Sequence, residues 1–541
     1  MHRTYLLSRL LLVILASCRQ GYGPVDEQRV FRYNEASNIT SLDPAFARDQ
    51  ANIWAVNQLF NGLVQFSDNL EVIPCLASSW TISDDGLKYT FYLRKDACFH
   101  NDPCFAETDD RRVKASDFVF SFTRLMDAET ASAGSWVFQH VSEEIPFSAP
   151  TDSILEIRLK NPFPPFLGLL AMQYCAVIPE KAVNYYGNDF HRRPVGTGPF
   201  YLAYWKEGVK MVLRKNPGYF ESDGSTRLPY LEAVIITFMA DKQAAFLEFV
   251  KGKLDFISGI DPAYKDELLS PEGSLNPAYS GKFNLITQPY LNTEYLGILM
   301  NSDTNPESQN PLLNRNIRKA INYGFDRRKM IRYLRNNIGI PGINGMIPPG
   351  MPSFDSGRVY YDYQPERSRE LLREAGFTDQ SMGIKITLVS TPDYLDICKF
   401  VQHQLAEIGL VLSIEISPAA AVKEMKALAR LKFFRASWIA DYPDAENYLS
   451  LFYSPNFCPA GPNYTHFRDT GFDRNFEHAM KEMNDSLRYG LYAEMENIVM
   501  EESPVIVLYY DQVLRFSQKN IHGLGINPMN LLNLKRVYKS D

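Results

Sequence analysis

Arg435 and Asp441 offer the most chemistry, and they share one run, Phe433 to Asp444, which reads F-F-R-A-S-W-I-A-D-Y-P-D. If the run is extended, alternate residues share a face, so Arg435, Ser437, Ile439 and Asp441 point the same way. Six residues at about 3.3 Å each set the two Cα atoms about 20 Å apart. A guanidinium and a carboxylate at the two ends of a length of backbone complement a short zwitterion. The competing reading is a buried strand around Trp438, followed by a solvated Asp-Tyr-Pro-Asp turn.

Other chemistries have weaker support. Asp441 and Asp444 could form the carboxylate pair of a secreted hydrolase, but two acids three residues apart across a proline define no catalytic geometry. No G-x-S-x-G, H-E-x-x-H or G-x-x-x-x-G-K-[ST] motif occurs. Val195-Gly196-Thr197-Gly198 opens like a dinucleotide fingerprint, yet Pro199 follows and Tyr201 stands where the last glycine belongs, so a turn is expected. Cys98, His100 and Cys104 lack a fourth metal ligand nearby. Cys98 and Cys104, on either side of a turn-rich loop, are the expected disulfide pair. No metal and no cofactor are expected.

The elements that must position these residues belong to a large globular chain. The 541 residues exceed what one hydrophobic core supports, and 45% are hydrophobic. The N-terminus is basic (Arg3, Arg9), then apolar from Leu10 to Leu15, which reads as a removed signal over residues 1–17. Leu15-Ala16-Ser17-Cys18 resembles a bacterial lipobox and implies lipidation of Cys18. Loss of Arg3 and Arg9 takes the net charge from −7 to −9; an acidic chain without a basic run does not suggest nucleic acid. Asp84-Asp85-Gly86 predicts a hairpin turn before the alternating run K-Y-T-F-Y-L-R. Ser116 is the expected cap of a helix with Phe118, Val119, Phe122, Leu125 and Met126 on one face.

The order of these pieces is specific. L-D-P, L-F-N-G-L-V, P-C-L-A-S-S-W, D-G-L-K-Y-T-F-Y-L-R-K-D-A and V-K-A-S-D-F-V-F-S-F resemble the N-terminal signature of the oligopeptide and dipeptide solute-binding proteins of ABC importers. V-G-T-G-P-F (Val195 to Phe200), K-N-P-G-Y-F (Lys215 to Phe220), R-N-I-R-K-A-I-N-Y-G-F-D-R (Arg315 to Arg327) and P-E-R-S-R-E-L-L-R-E-A-G-F (Pro365 to Phe377) continue the match. Arg435-Ala436-Ser437-Trp438-Ile439-Ala440-Asp441-Tyr442 is similar to the ligand-strand motif R-A-G-W-x-A-D-Y, with Ser437 in the glycine position.

The resemblance implies a mixed α/β, periplasmic-binding-protein-like fold: two main lobes that close on ligand by a hinge, plus a smaller inserted domain. Domain I is expected at residues 18–60, 176–290 and 507–541, domain II at 61–175, and domain III at 291–506. It also implies a binding protein and not an enzyme, a monomer that captures short peptides for an importer permease and ATPase. The protein is expected on the periplasmic side of the cell envelope, held to a membrane through lipid. Asp441 would take the peptide ammonium, Ser437 and Ile439 would offer backbone groups, and Arg435 would take the carboxylate of a short peptide. Trp438 and Tyr442 complete the expected site. Arg48 stands four residues after Pro44, where peptide-binding relatives can carry a glutamate facing a ligand side chain, which opens the side-chain preference. Glutathione, a nickel chelate or haem are alternative ligands, and an adhesin or chaperone an alternative use of the fold.

Overall fold

The computed structural model describes residues 26–107, 110–259, 265–301, 310–377 and 384–540. Residues 1–17 and Cys18, on which the signal and lipidation expectations rest, lie outside the described residues.

Two long strands, Phe283–Ile298 and Val505–Gln518, run antiparallel through the middle of an eleven-stranded mixed sheet. Their outer halves belong to different surroundings. Toward Phe283 and Gln518 the sheet continues through Phe256–Ser258, Val30–Asn34, Ala233–Thr237, Lys210–Lys215 and Phe200–Lys206. Toward Ile298 and Val505 it continues through Phe433–Ile439, Ile384–Ser390 and Leu410–Ile416. Register shifts between Pro289 and Thr293 and between Glu294 and Tyr295 mark the crossing, where an irregular ladder bends and twists. The cores divide in the same way. One cluster gathers residues from Phe31 to Phe256 with Ile521 to Val537, and the others gather mostly residues between Phe246 and Phe516.

Residues between Ala77 and Arg158 form a separate four-stranded antiparallel sheet, ordered Ala77–Ile82, Lys88–Leu93, Ile154–Arg158 and Phe147–Thr151. The predicted hairpin is present: Gly86 has φ +69°, which only glycine adopts cheaply, and Tyr89, Phe91 and Leu93 alternate into the core. The helix spans Ala115–Met126 and differs from expectation at its start. Lys114 occupies the cap, its N–H donates to the Asp117 carboxylate at 2.8 Å, and Ser116 sits inside the first turn. Phe118, Phe122 and Leu125 are buried, whereas Met126, the last residue of the helix, is exposed.

Two further expectations resolve in the loops. Cys98 and Cys104 are free thiols, so the expected disulfide is corrected: Cys98 is held in a backbone bridge to Arg112, while Cys104 sits in a turn capped by Asp102. His100 between them is buried and meets the Gly198 carbonyl at 3.0 Å; burial pulls its pKa down to about 4, so it is neutral. The turn expected at Val195 to Gly198 is not closed by a hydrogen bond of its own: Gly196 and Gly198 instead pair with His100 and Leu59, and a Cβ at either would collide with the Leu59 backbone.

Candidate ligand-binding site

Strand Phe433–Ile439 is paired on one side only over most of its length. It lies antiparallel to Asn292–Ile298, with the Ala440 N–H donating to the Leu291 carbonyl and the Leu299 N–H to the Lys432 carbonyl, at 2.9 and 3.0 Å. Backbone groups alternate sides along a strand, so even-numbered residues turn theirs inward and Ser437 and Ile439 turn theirs outward. On that outer edge the parallel strand Ile384–Ser390 reaches only Phe434, opposite Val389. Among the described residues no strand covers the edge at Ser437 and Ile439. Such an edge is a template for an added extended chain.

The strand ends before Asp441, and a turn fixes the residues after it. Asn447, buried, accepts from the Trp438 indole N–H at 2.8 Å and from the Asp441 N–H at 3.4 Å. The Asp441 side chain is exposed, yet burial by surrounding protein raises its carboxyl pKa, opposed only by the Asn447 side chain. Both hold for a group lining a cleft, surrounded without being covered. Asp441 has no ion-pair partner among the described residues. Asp444 differs: it is buried, accepts from the Tyr492 hydroxyl at 2.7 Å and lies 3.5 Å from Arg488. The two acids therefore do not form an open catalytic pair.

Tyr442 points away from both. It is buried, donates to the Glu446 carboxylate, and packs near Trp136, ring centroids 6.3 Å apart, in the core cluster that gathers Phe31 to Phe256. The same cluster also brings Tyr174 toward Asp441. Burial and then the Asp441 carboxylate raise the Tyr174 hydroxyl, while Arg48 lowers it. Gln173 donates to the Ala47 carbonyl at 2.8 Å and so ties the Tyr174 turn to the one carrying Arg48. The charges of Arg48 and Asp441 thus both act on Tyr174, with opposite sign.

Arg435 has a partner already. Its guanidinium pairs with Glu294, which is 2% exposed, and lies 3.3 Å from the centroid of the Tyr394 ring, leaving Nε without an acceptor. Glu294 also accepts from Asn292 Nδ2 at 3.1 Å and from the Tyr394 hydroxyl at 3.4 Å. Beside this pair, Arg335 bonds Asp511 at 2.7 Å and the Tyr509 hydroxyl at 3.1 Å. Ser437 faces Glu294 across the ladder, and Ile439 is 48% exposed. Arg435, Ser437 and Ile439 therefore share a face as expected, with Trp438 on the other. Sequence reasoning did not single out Glu294, Tyr394, Arg335, Asp511 or Asn447. A lone acid inside the apolar run L-N-T-E-Y-L-G-I-L was the available signal for Glu294.

Three comparisons bear on this arrangement. Residues 71–457 match the bacterial extracellular solute-binding proteins, family 5 Middle. The chain is 28% identical over 502 residues, 91% of each chain, to the glutathione-binding protein GsiB of Salmonella paratyphi A. Among solved structures, HbpA2 from Haemophilus parasuis shares the fold at a TM-score of 0.83, with 22% identity over 95% of this chain and all of the other. DppA from Helicobacter pylori, solved with the peptide STSA, shares it at 0.72, with 23% identity over 95% of this chain and 98% of the other. The match over most of the chain, on a two-lobed mixed sheet of this type, shows that the chain belongs to the bacterial extracellular solute-binding proteins, family 5.

Proposed function

We propose that this protein captures short peptides in the cleft between its lobes and delivers them to the permease and ATPase of an ABC importer. The observation that carries the reading is the strand edge at Ser437 and Ile439, uncovered among the described residues and ending on Asp441, a carboxylate that has no ion-pair partner among them. An extended peptide laid on that edge exchanges main-chain hydrogen bonds with Ser437 and Ile439, which are indifferent to side chains. Its ammonium reaches the Asp441 carboxylate, a charge-assisted bond that fixes direction. Residues 18–60, 176–290 and 507–541 would form one lobe and residues 291–506 the other, with 61–175 inserted. The two lobes would move about the irregular crossing near Pro289 and Thr293.

Glutathione is a second ligand within the same reading, favoured by the 28% identity to GsiB over nearly the whole chain. It is a short peptide with a free ammonium and two carboxylates. Calorimetric titration with tri- and tetra-alanine, their N-acetylated forms and glutathione tests both ligands. Asp441→Asn is expected to weaken unmodified peptides roughly tenfold to a hundredfold, the range for a hydrogen bond to a charged group. Acetylation should do the same to the unaltered protein. Equal affinity for acetylated and free peptides removes Asp441 from the ammonium site.

A further inference from the structure

Arg435 is the cation expected to meet a ligand carboxylate, and the structure commits it to Glu294. Glu294 is itself held by Asn292 and Tyr394, so it is not free to swing aside. A ligand carboxylate brought to Arg435 would arrive beside a second carboxylate, and like charges side by side in a cleft repel strongly. Arg335 is likewise taken, by Asp511.

Lys426 stands differently. It lies in helix Ala419–Ala427, just before strand Phe433–Ile439, and is half-buried, its Nζ 4.5 Å from the centroid of the Tyr464 ring. Among the described residues no carboxylate lies within ion-pair distance of it. Burial first, then the charges of Arg435 and Lys423, lower its pKa to about 8, opposed by Cys458 and Glu294. Glu294 and Arg435 cancel, as do Asp511 and Arg335, which leaves Lys426 and, more exposed on the same helix, Lys423 without a carboxylate at ion-pair distance among the described residues. A half-buried ammonium without a counter-ion is costly unless a ligand supplies one.

We propose that Lys426, and not Arg435, receives the terminal carboxylate of a bound short peptide, because Glu294 neutralises Arg435 while Lys426 has no carboxylate beside it among the described residues. The assignment rests on the peptide reading above. Glu294 thereby sets where along the cleft the ligand's acidic end is read.

Titration of tri- and tetra-alanine as free acids and as C-terminal amides, against the full-length protein and its variants, tests this. The unaltered protein is expected to prefer the acid. Lys426→Met should cut that preference by about tenfold or more and change affinity for the amide by less than about threefold, while Lys426→Arg keeps the preference. Glu294→Gln, which frees Arg435, should increase it. An acid-to-amide ratio unchanged in Lys426→Met overturns the assignment while leaving the peptide reading intact. Failure of the unaltered protein to bind any of the four peptides overturns both. Should Lys426→Met not fold, the ratio measured on the unaltered protein from pH 7 to 9.5 decides the matter: a fall above about pH 8 supports Lys426, and a flat ratio removes it.

Discussion

At the scale of single residues, the acids of the Phe433 to Asp444 run divide by what surrounds them. Asp441 is exposed and has no ion-pair partner among the described residues, whereas Asp444, three residues on, is closed in by Tyr492 and Arg488. The basic residues divide in the same way, Arg435 held by Glu294 and Lys426 open. This division has a pH signature. Lys426 titrates at about 8 in the ligand-free protein, displaced from 10.5. Below that pH the ammonium is already present, so the preference for a free acid over its amide stays constant. Above it, acid binding must take up a proton, and the preference should fall by about tenfold per pH unit. Taking the ratio of acid to amide cancels titration of the peptide's own ammonium, which both ligands share. Calorimetry across this range checks the slope.

At the scale of elements, strand Phe433–Ile439 and the turn after it act as one unit because Asn447 holds both. Its side-chain oxygen accepts from Trp438 and from the Asp441 backbone, and the Tyr448 hydroxyl next to it donates to the Leu291 carbonyl at 2.7 Å. Asn447→Ala leaves two donors without an acceptor in a largely buried site. The expected cost is about 1–3 kcal/mol of stability, read as a lower denaturation midpoint in urea. Peptide affinity should fall as well, because Asp441 loses its fixed position, and N-acetylated peptides should be affected less. A stability loss with unchanged affinity would show that the turn holds Asp441 without Asn447.

At the scale of the whole molecule, two continuous strands run through both halves of the sheet and bend at a register irregularity, while Tyr442 packs the turn after strand Phe433–Ile439 against Trp136. Peptide bound between the walls should draw them together. Small-angle scattering should show a smaller radius of gyration with saturating peptide, and the melting temperature should rise with ligand concentration. Tyr442→Ala removes the contact with Trp136 and should enlarge the ligand-free particle more than the peptide-bound one. Identical scattering with and without a tightly bound peptide would mean that the crossing strands do not act as a hinge.

The sequence by itself determined the family-level architecture and the unit that matters most, because ordered blocks such as V-G-T-G-P-F and R-A-S-W-I-A-D-Y encode local turns, strand alternation and packing glycines. The hairpin at Asp84 to Gly86 and the shared face of Arg435, Ser437 and Ile439 follow from period and turn chemistry alone. The start of the Ala115–Met126 helix did not, since Asp117 could cap it as well as Ser116 once Lys114 took the cap position. Nor did the state of Cys98 and Cys104, which depends on the backbone bridge to Arg112 and the turn at Asp102. Tertiary structure alone decided the electrostatics of the cleft. Glu294 lies 141 residues from Arg435, and Arg335 lies 176 from Asp511. Whether a guanidinium waits for a ligand or is already neutralised depends on which carboxylate a distant strand sets beside it. Coulombic energy follows distance in space, to which separation along the chain is no guide.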